Sequence, residues 1–298
     1  MVCLLLTTVQ IMRTHEGAIV PELPEVEVAR RQLERWLTGR TVAAIALPDP
    51  STIRHKPSTR PSDADPRGPE QLATVVGQRV AAPIRHGKRL GLRIGDTAWI
   101  VHLGMTGRWL WREPSADAPR FARLGLATDA GWAWFADTRR FGCAVWVPQD
   151  ALETELARGH GPDALLDPLD GEALAARFAT RQAIKVALLD QTRIAGVGNI
   201  HAVEALFRAG IDPTTPARSL SPAAWARLAP AIVTQLQDAL AITDADEVVY
   251  MTDGQHVDNP FAVYGRADQP CVACATPIVQ GRHGGRATFW CPGCQAHT

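Results

Sequence analysis

The spacing of apolar residues changes at Pro148, and this change limits the possible folds more than any other feature of the chain. Before it, short apolar runs at 41–47, 73–84, 89–94, 98–103, 108–111, 122–127, 133–136 and 143–147 are separated by Gly, Pro or Asp. Runs of that length and spacing predict a β-sandwich or barrel. After it, 150–158, 171–178, 182–190, 199–209 and 222–243 carry helical spacing. One helix precedes the strands, because 25–39 places Val26, Ala29, Leu33, Trp36 and Leu37 near one face and ends on Gly39. The expected fold is α+β multidomain: an N-terminal β-sandwich with a flanking helix over 21–149, a helical domain over 150–258 and a compact cysteine-bearing tail over 259–298. Residues 48–70, rich in Pro, Ser, Asp and Arg, read as a long exposed loop.

With 298 residues and 46% apolar content, the chain is long enough to bury two cores. No apolar run approaches the roughly 18–20 residues of a membrane span. Six cysteines in this length are too few for a secreted disulfide scaffold, so a cytoplasmic, non-membrane protein is expected. The formal net charge of zero hides an asymmetry: 21–150 holds 19 Lys+Arg against 14 Asp+Glu, and 151–298 holds 11 against 16. The halves are therefore +5 and −5, and a basic face on the first suits a phosphate backbone. Only three lysines exist, Lys56, Lys88 and Lys185, and Lys88 sits in a stretch with Arg79, Arg85, His86, Arg89 and Arg93 that contains no acid.

Cys271-Val-Ala-Cys274 and Cys291-Pro-Gly-Cys294 are two CxxC pairs with 16 residues between them, within zinc-ribbon spacing. Four thiolates close a tetrahedral shell with no open position, so zinc held there is structural. Two disulfides or a redox pair are the alternatives. β-type residues on both sides of 281–285 predict a hairpin whose tip is held by the metal, with Arg282, His283 and Arg286 near one end. Gly196 and Gly198 before Asn199 predict a turn into a helix that Asn199 can cap, with backbone N–H groups free to face a phosphate. A plain helix hairpin explains the same residues. At the other end, Pro21-Glu22-Leu23-Pro24-Glu25-Val26-Glu27 puts two prolines and three acids at a helix start. Glu25 and Glu27 suit the helix dipole, but Glu22 lies too early for that role.

PELPEVE, HLGMTG, TRRFG, AGVGNIHAVEALFRAGI, VYGR and CxxC…RATFWCPGCQ, spread over 21–295, resemble the bacterial formamidopyrimidine-DNA glycosylase family in order and spacing. The resemblance implies a monomeric base-excision repair glycosylase and AP lyase with a β-sandwich, a helix-two-turn-helix domain and a zinc-ribbon β-hairpin. Its partner would be damaged double-stranded DNA, from which it removes oxidised bases such as 8-oxoguanine and formamidopyrimidines. The implied chemistry is a proline Schiff base followed by β,δ-elimination. By the same resemblance Pro21 is the nucleophile, Glu22 the general acid/base, and Lys88 a phosphate contact that assists lesion processing. Met105, Arg139 and Phe141 would fill the hole left by a flipped base; Lys185, Asn199 and Arg286 would bind phosphates; Cys271, Cys274, Cys291 and Cys294 would hold one structural Zn²⁺. Without the resemblance, Met105 and Phe141 read as core.

The chain departs from the family in places that matter chemically. A proline nitrogen inside a peptide is a tertiary amide and cannot form an iminium, so residues 1–20 are expected to be a misassigned start. Val20 stands where an initiator would be, and valine codons include the bacterial start GUG. If the extension is real, the alternative is a non-catalytic protein that binds lesions or abasic sites. His201 replaces a usual tyrosine, Thr138 stands where the family often has proline, and 246–263 is shorter than the family's lesion-capping loop; all three bear on lesion preference.

Overall fold

The computed structural model describes residues 20–57, 60–242 and 259–296. The expected extension, Val20 apart, and most of the 246–263 loop lie outside these residues. The first domain runs α1 (Leu23–Leu37), β1 (Ala44–Ala46), β2 (Ile53–Arg54), α2 (Gly68–Ala73), β3 (Ile84–His86), β4 (Arg89–Ile94), β5 (Thr97–His102), β6 (Arg108–Arg112), β7 (Ala122–Ala127), β8 (Trp132–Ala136) and β9 (Cys143–Pro148). The strands form two sheets, ordered β1-β7-β8-β6 and β2-β9-β5-β4-β3. Among the described strands of these sheets, only β2 beside β9 is parallel.

Inward residues of both sheets, including Leu90, Leu92, Trp99 and Val101 from one and Trp109, Leu124, Leu126 and Phe135 from the other, share a core with Val26, Ala29, Leu33 and Leu37 of α1. The second face of the five-stranded sheet is covered as well. There Leu152 and Leu156 of α3 (Leu152–Ala157) pack on Ala98, Ile100 and Val147. Burial on both faces explains why β4 and β5 are almost continuously apolar.

The segment 48–84 differs from expectation. Residues 48–70 are not simply an exposed loop: they contain β2, 3₁₀ turns at Pro50–Thr52 and Pro61–Asp63 and the start of α2, and Thr52, Ile53 and Arg54 are buried. Nor is 73–84 a strand. Leu72 and Val75 stand three residues apart and both enter the sandwich core, so their spacing is that of a helical turn. Gly77 then takes φ +81° and Val80 makes only an isolated bridge to Ile94 before β3 begins.

The second domain is built from α4 (Gly171–Arg177), α5 (Ile184–Leu188), α6 (Asn199–Ala209) and α7 (Pro222–Ile242). Asp170 caps α4 by accepting the Ala173 N–H at 2.8 Å. At the end of α6, Gly210 adopts φ +67°, the left-handed stop that favours glycine. Leu23 of α1 lies in this helical core rather than in the sandwich, so the first turn of the chain crosses into the second domain.

The tail hairpin pairs β10 (Val279–His283) with β11 (Arg286–Trp290), and its Ile278 and Phe289 pack on Val203 of α6. Glu204 of α6 accepts the N–H groups of Ala262, Val263 and Tyr264 at 2.8–2.9 Å, which fixes the entry to the tail. The cysteines flank the open end of the hairpin, before β10 and after β11. Its tip, at Gly284, instead rests on Val186 of α5, so the metal-held tip expected from the sequence is corrected.

A buried ion cluster joins the two domains. Arg85 of β3 reaches Glu27 of α1 at 3.0 Å and Asp163, ahead of α4, at 2.5 Å, and Asp163 also accepts the Gly87 N–H at 2.6 Å. Burial pushes Glu27 upward, but Arg30, Arg85 and Arg31 outweigh it and hold the carboxyl below its ordinary range. Asp163 is likewise held low, because Arg85 and the Gly87 and Leu165 amides overcome its burial. Arg85→Met should cost about 3–5 kcal/mol by stripping a buried carboxylate of its counter-charge, as read by urea unfolding at neutral pH. Carboxyls held low stabilise the fold above their unfolded pKa, about 4, and this contribution is lost as pH falls through their folded values. The gap between wild type and Arg85→Met should therefore shrink on acidification below about pH 4.

Candidate active site

Glu22 is placed by two helices at once. It sits immediately before α1, where Pro24 suits the first turn and Glu25 Oε2 reaches back to accept the Glu22 N–H at 2.6 Å. Its own carboxylate accepts the N–H groups of Ile200 at 2.9 Å and His201 at 3.3 Å. Those amides belong to the first turn of α6, whose donors have no partner within the helix and whose dipole favours an anion. Asn199 therefore does not cap α6 as its sequence position suggested; Glu22, from the other domain, fills that role.

The glycines ahead of α6 make the approach possible. A Cβ at Gly198 would lie within 3.0 Å of the Glu22 carboxyl group, and one at Gly196, whose φ is +105°, would strike the Leu23 side chain. Pro21, directly before Glu22, is buried beside this junction. His201 is buried too, with Nε2 4.0 Å from Glu22 Oε2 and no hydrogen-bond partner for either ring nitrogen among the described residues.

Cations surround the carboxylate. Lys88 lies in the turn between β3 and β4, where Gly87, at φ +55°, packs against Ala195 and Gly196. Burial pushes the Lys88 ammonium down, Glu22 and Glu25 pull it up and Arg286 opposes them, with a net lowering. Most of the basic stretch around it is tied up within the fold. Arg85 serves the ion cluster, Arg93 pairs with Glu153, and Arg89 donates to the carbonyls of Leu156 and Arg158.

A second cationic group forms where α5, α6 and β11 meet. Lys185 is fully buried with Nζ 3.4 Å from the His283 carbonyl, Asn199 Nδ2 donates to the Ala287 carbonyl at 3.1 Å, and Arg286 is exposed beside them. Burial, reinforced by Arg286 and partly offset by Glu22, lowers Lys185 to about 8. Two like charges held close in this way would both be relieved by an anion.

Met105, Arg139 and Phe141 meet at adjoining loop tips and are not core residues: Arg139 is exposed, the other two half-buried. Gly104, at φ +69°, lets the two loops touch, since a Cβ there would strike the backbone of Phe141 and Gly142. Buried Asp137 ties them together by accepting the Thr106 hydroxyl, the Arg139 N–H at 3.1 Å and the Gly142 N–H at 2.7 Å. The Arg139 guanidinium lies 4.9 Å from the centre of the Phe141 ring. Nearby His102 is lowered to about 4 by burial, with Lys88 and Arg89 adding to the effect, and its Nδ1 accepts the Gly104 N–H. It is thus a neutral strut at pH 7. Sequence reasoning missed both Asp137 and His102: each accepts amides of its own turn, and what makes Asp137 a tie between the loops is the Thr106 hydroxyl 31 residues away.

The four tail cysteines converge, with all Sγ atoms within 4.8 Å of one another. Cys271 and Cys294 are 3.8 Å apart and Cys274 and Cys291 are 3.4 Å apart. Zn–S bonds of about 2.3 Å give tetrahedral edges of about 3.8 Å, whereas a disulfide needs about 2.0 Å. The cluster fits a metal ion and not a pair of disulfides.

The sequence profile of the formamidopyrimidine-DNA glycosylase N-terminal domain matches residues 20–144, and that of the formamidopyrimidine-DNA glycosylase H2TH domain matches 160–249. The formamidopyrimidine-DNA glycosylase of Geotalea uraniireducens is 38% identical over 283 residues, covering 93% of this chain and 100% of its own length. That of Bordetella petrii is 40% identical, covering 93% and 99%. Among solved structures, MutM in complex with DNA containing carbocyclic 8-oxo-G superposes with a TM-score of 0.80 at 30% identity, and Lactococcus lactis Fpg bound non-covalently to DNA containing an AP site does so with 0.80 at 28%. Each match covers 93% of this chain and 100% of the other. The fold, the glycine turn ahead of α6, the cysteine cluster and these matches agree, and the chain belongs to the formamidopyrimidine-DNA glycosylase family.

Proposed function

We propose that this protein is a base-excision repair DNA glycosylase and AP lyase acting on oxidised bases in duplex DNA, with Pro21 as nucleophile. The observation that carries this reading is the Glu22 carboxylate, anchored on the α6 amides directly after Pro21 and within electrostatic reach of Lys88. An α-amino group has a pKa near 8, against about 10.4 for lysine, so a proline N-terminus supplies free amine at neutral pH. Its nitrogen attacks C1′ of the damaged nucleotide, the C1′–N bond breaks, and the base leaves with the electron pair and takes up a proton. Glu22 exchanges protons with the sugar as it opens to an iminium. The iminium acidifies C2′–H, and loss of that proton drives β- and then δ-elimination.

This chemistry requires Pro21 to be the N-terminus of the active form. In the same reading Lys88 holds a phosphate near the reacting sugar, and Lys185, Asn199 and Arg286 grip the backbone. Met105, Arg139 and Phe141 enter the space vacated by the flipped base. The catalytic unit spans 21–149, the helix-two-turn-helix unit 150–258 and the finger 259–298, with one Zn²⁺ on Cys271, Cys274, Cys291 and Cys294 to hold Arg286 in place. The zinc contributes to folding and not to the reaction.

Borohydride treatment during turnover should join the form beginning at Pro21 to a duplex with 8-oxoguanine opposite cytosine, with the adduct mapping to Pro21. Binding without any adduct or incision would leave a lesion-binding protein instead. Glu22→Gln should reduce base excision by about 100-fold or more while leaving duplex binding within about threefold. Lys185 makes affinity depend on pH. Phosphate favours its ammonium form, so binding takes up a proton once the free group titrates near 8. Affinity should fall by up to about tenfold between pH 7 and 9 in wild type, and much less in Lys185→Arg. Removing zinc with a chelator should abolish specific DNA binding and lower the melting temperature, and re-addition should restore both.

A further inference from the structure

The turn that carries Arg139 and Phe141 is held from below by residues of the 49–54 segment. Arg54 is 1% exposed, yet its guanidinium donates to main-chain carbonyls: Nη2 to Arg140 at 2.8 Å, Nη1 to Phe141 at 3.5 Å and Nε to Ser51 at 3.1 Å. Arg140, between Arg139 and Phe141, has φ +60°, a left-handed conformation that a residue other than glycine keeps only when its surroundings enforce it. The enforcement is visible. Asp49 is buried and takes the Arg140 guanidinium at 2.7 Å, and the Ser51 hydroxyl lies 3.0 Å from the same group. Asp49 is fixed in turn by the Ser51 N–H and hydroxyl, at 3.1 and 2.6 Å. From the opposite side Asp137 binds the amides of Arg139 and Gly142.

We infer that Arg54 and Asp49 form a clamp that pre-shapes the Arg139–Phe141 turn for insertion into the duplex, which makes both positioning residues for lesion recognition. The physical reason is entropic. Prying a base stack open is unfavourable by itself, and a loose turn would also have to be ordered at that moment. A turn already held in a strained shape avoids this second cost. The buried guanidinium suits the task because its planar fork reaches two successive carbonyls that a lysine ammonium cannot span in the same geometry. Neither residue touches DNA in this account; both act through Phe141 and Arg139, so the inference rests on the wedge role proposed above for those side chains.

The test uses the full folded chain in the form beginning at Pro21, with Arg54→Lys as the first variant. Arg140→Gly is the second, since it accepts φ +60° without strain and so folds even if the first does not, but it loses the Asp49 and Ser51 anchors. The direct readout is 2-aminopurine placed beside the lesion, whose fluorescence rises when the stack is opened, followed on binding and therefore independent of catalysis. Both variants should lose most of that rise and about tenfold in kcat/KM for excision, and neither should add a further loss in a Phe141→Ala background. An unchanged fluorescence rise, or losses that multiply with Phe141→Ala, would overturn the clamp. Wild-type protein that opens the stack but leaves the lesion intact would overturn the glycosylase reading and spare the clamp. If Phe141→Ala itself opens the stack as wild type does, the wedge assignment and the clamp fall together.

Discussion

The Glu22 carboxylate on the first amides of α6 is the contact on which the geometry of the candidate site depends. It joins the first residues of the sandwich domain to the second domain, and it does so with a charge that the helix terminus favours. The apolar complement is Leu23, buried in the helical core, with its N–H on the Gly196 carbonyl at 3.2 Å. Gly196 and Gly198 admit both contacts, and the Glu27–Arg85–Asp163 cluster locks the same junction further out. Without such contacts the segment carrying the proposed catalytic pair, Pro21 and Glu22, would be loosely held. Here both domains fix it.

The same economy governs charge. The first half carries five more basic than acidic residues, but many of its arginines serve the fold. Arg85 crosses the domain junction, Arg54 shapes the wedge turn, Arg89 closes the end of α3, and Arg93 and Arg140 are paired with acids. Lys88 and Lys185 remain around the candidate site, both lowered chiefly by burial. Groups poised in this way gain most from an incoming phosphate, so recognition and the shift in their protonation are one event.

The sequence made much of this legible because certain residues have few alternative uses. Two CxxC pairs at ribbon spacing marked the cysteine cluster, and the break in periodicity at Pro148 separated sandwich from helices. The acid placed too early to serve its own helix, Glu22, was recognisable as anomalous, but the α6 terminus that receives it lies 178 residues away and left no local trace. Residues 48–70 differ from expectation because their composition is that of a loop, while Ile53 and Arg54 gain their burial from distant partners, the sandwich core and β9 for the one and the 140–141 carbonyls for the other. Met105 and Phe141 read as core for a related reason: apolar side chains at loop tips, here proposed to enter a base stack, have the composition of a protein interior. Glu204 acts on backbone amides 58–60 residues away, and such partners are invisible in a sequence.

The most direct test of this account is single-turnover excision by Gly198→Ala, measured alongside its melting temperature. The added methyl group can be relieved by moving the end of the Glu22 side chain, at little cost to the fold, because Gly198 already has an extended backbone at φ −120°. The account predicts a melting temperature within a few degrees of wild type and a loss of about 100-fold in excision rate, as expected for a displaced acid/base group. Near-wild-type excision by a stable Gly198→Ala protein would contradict it, because the contact between Glu22 and α6 would then not be what places the catalytic carboxylate.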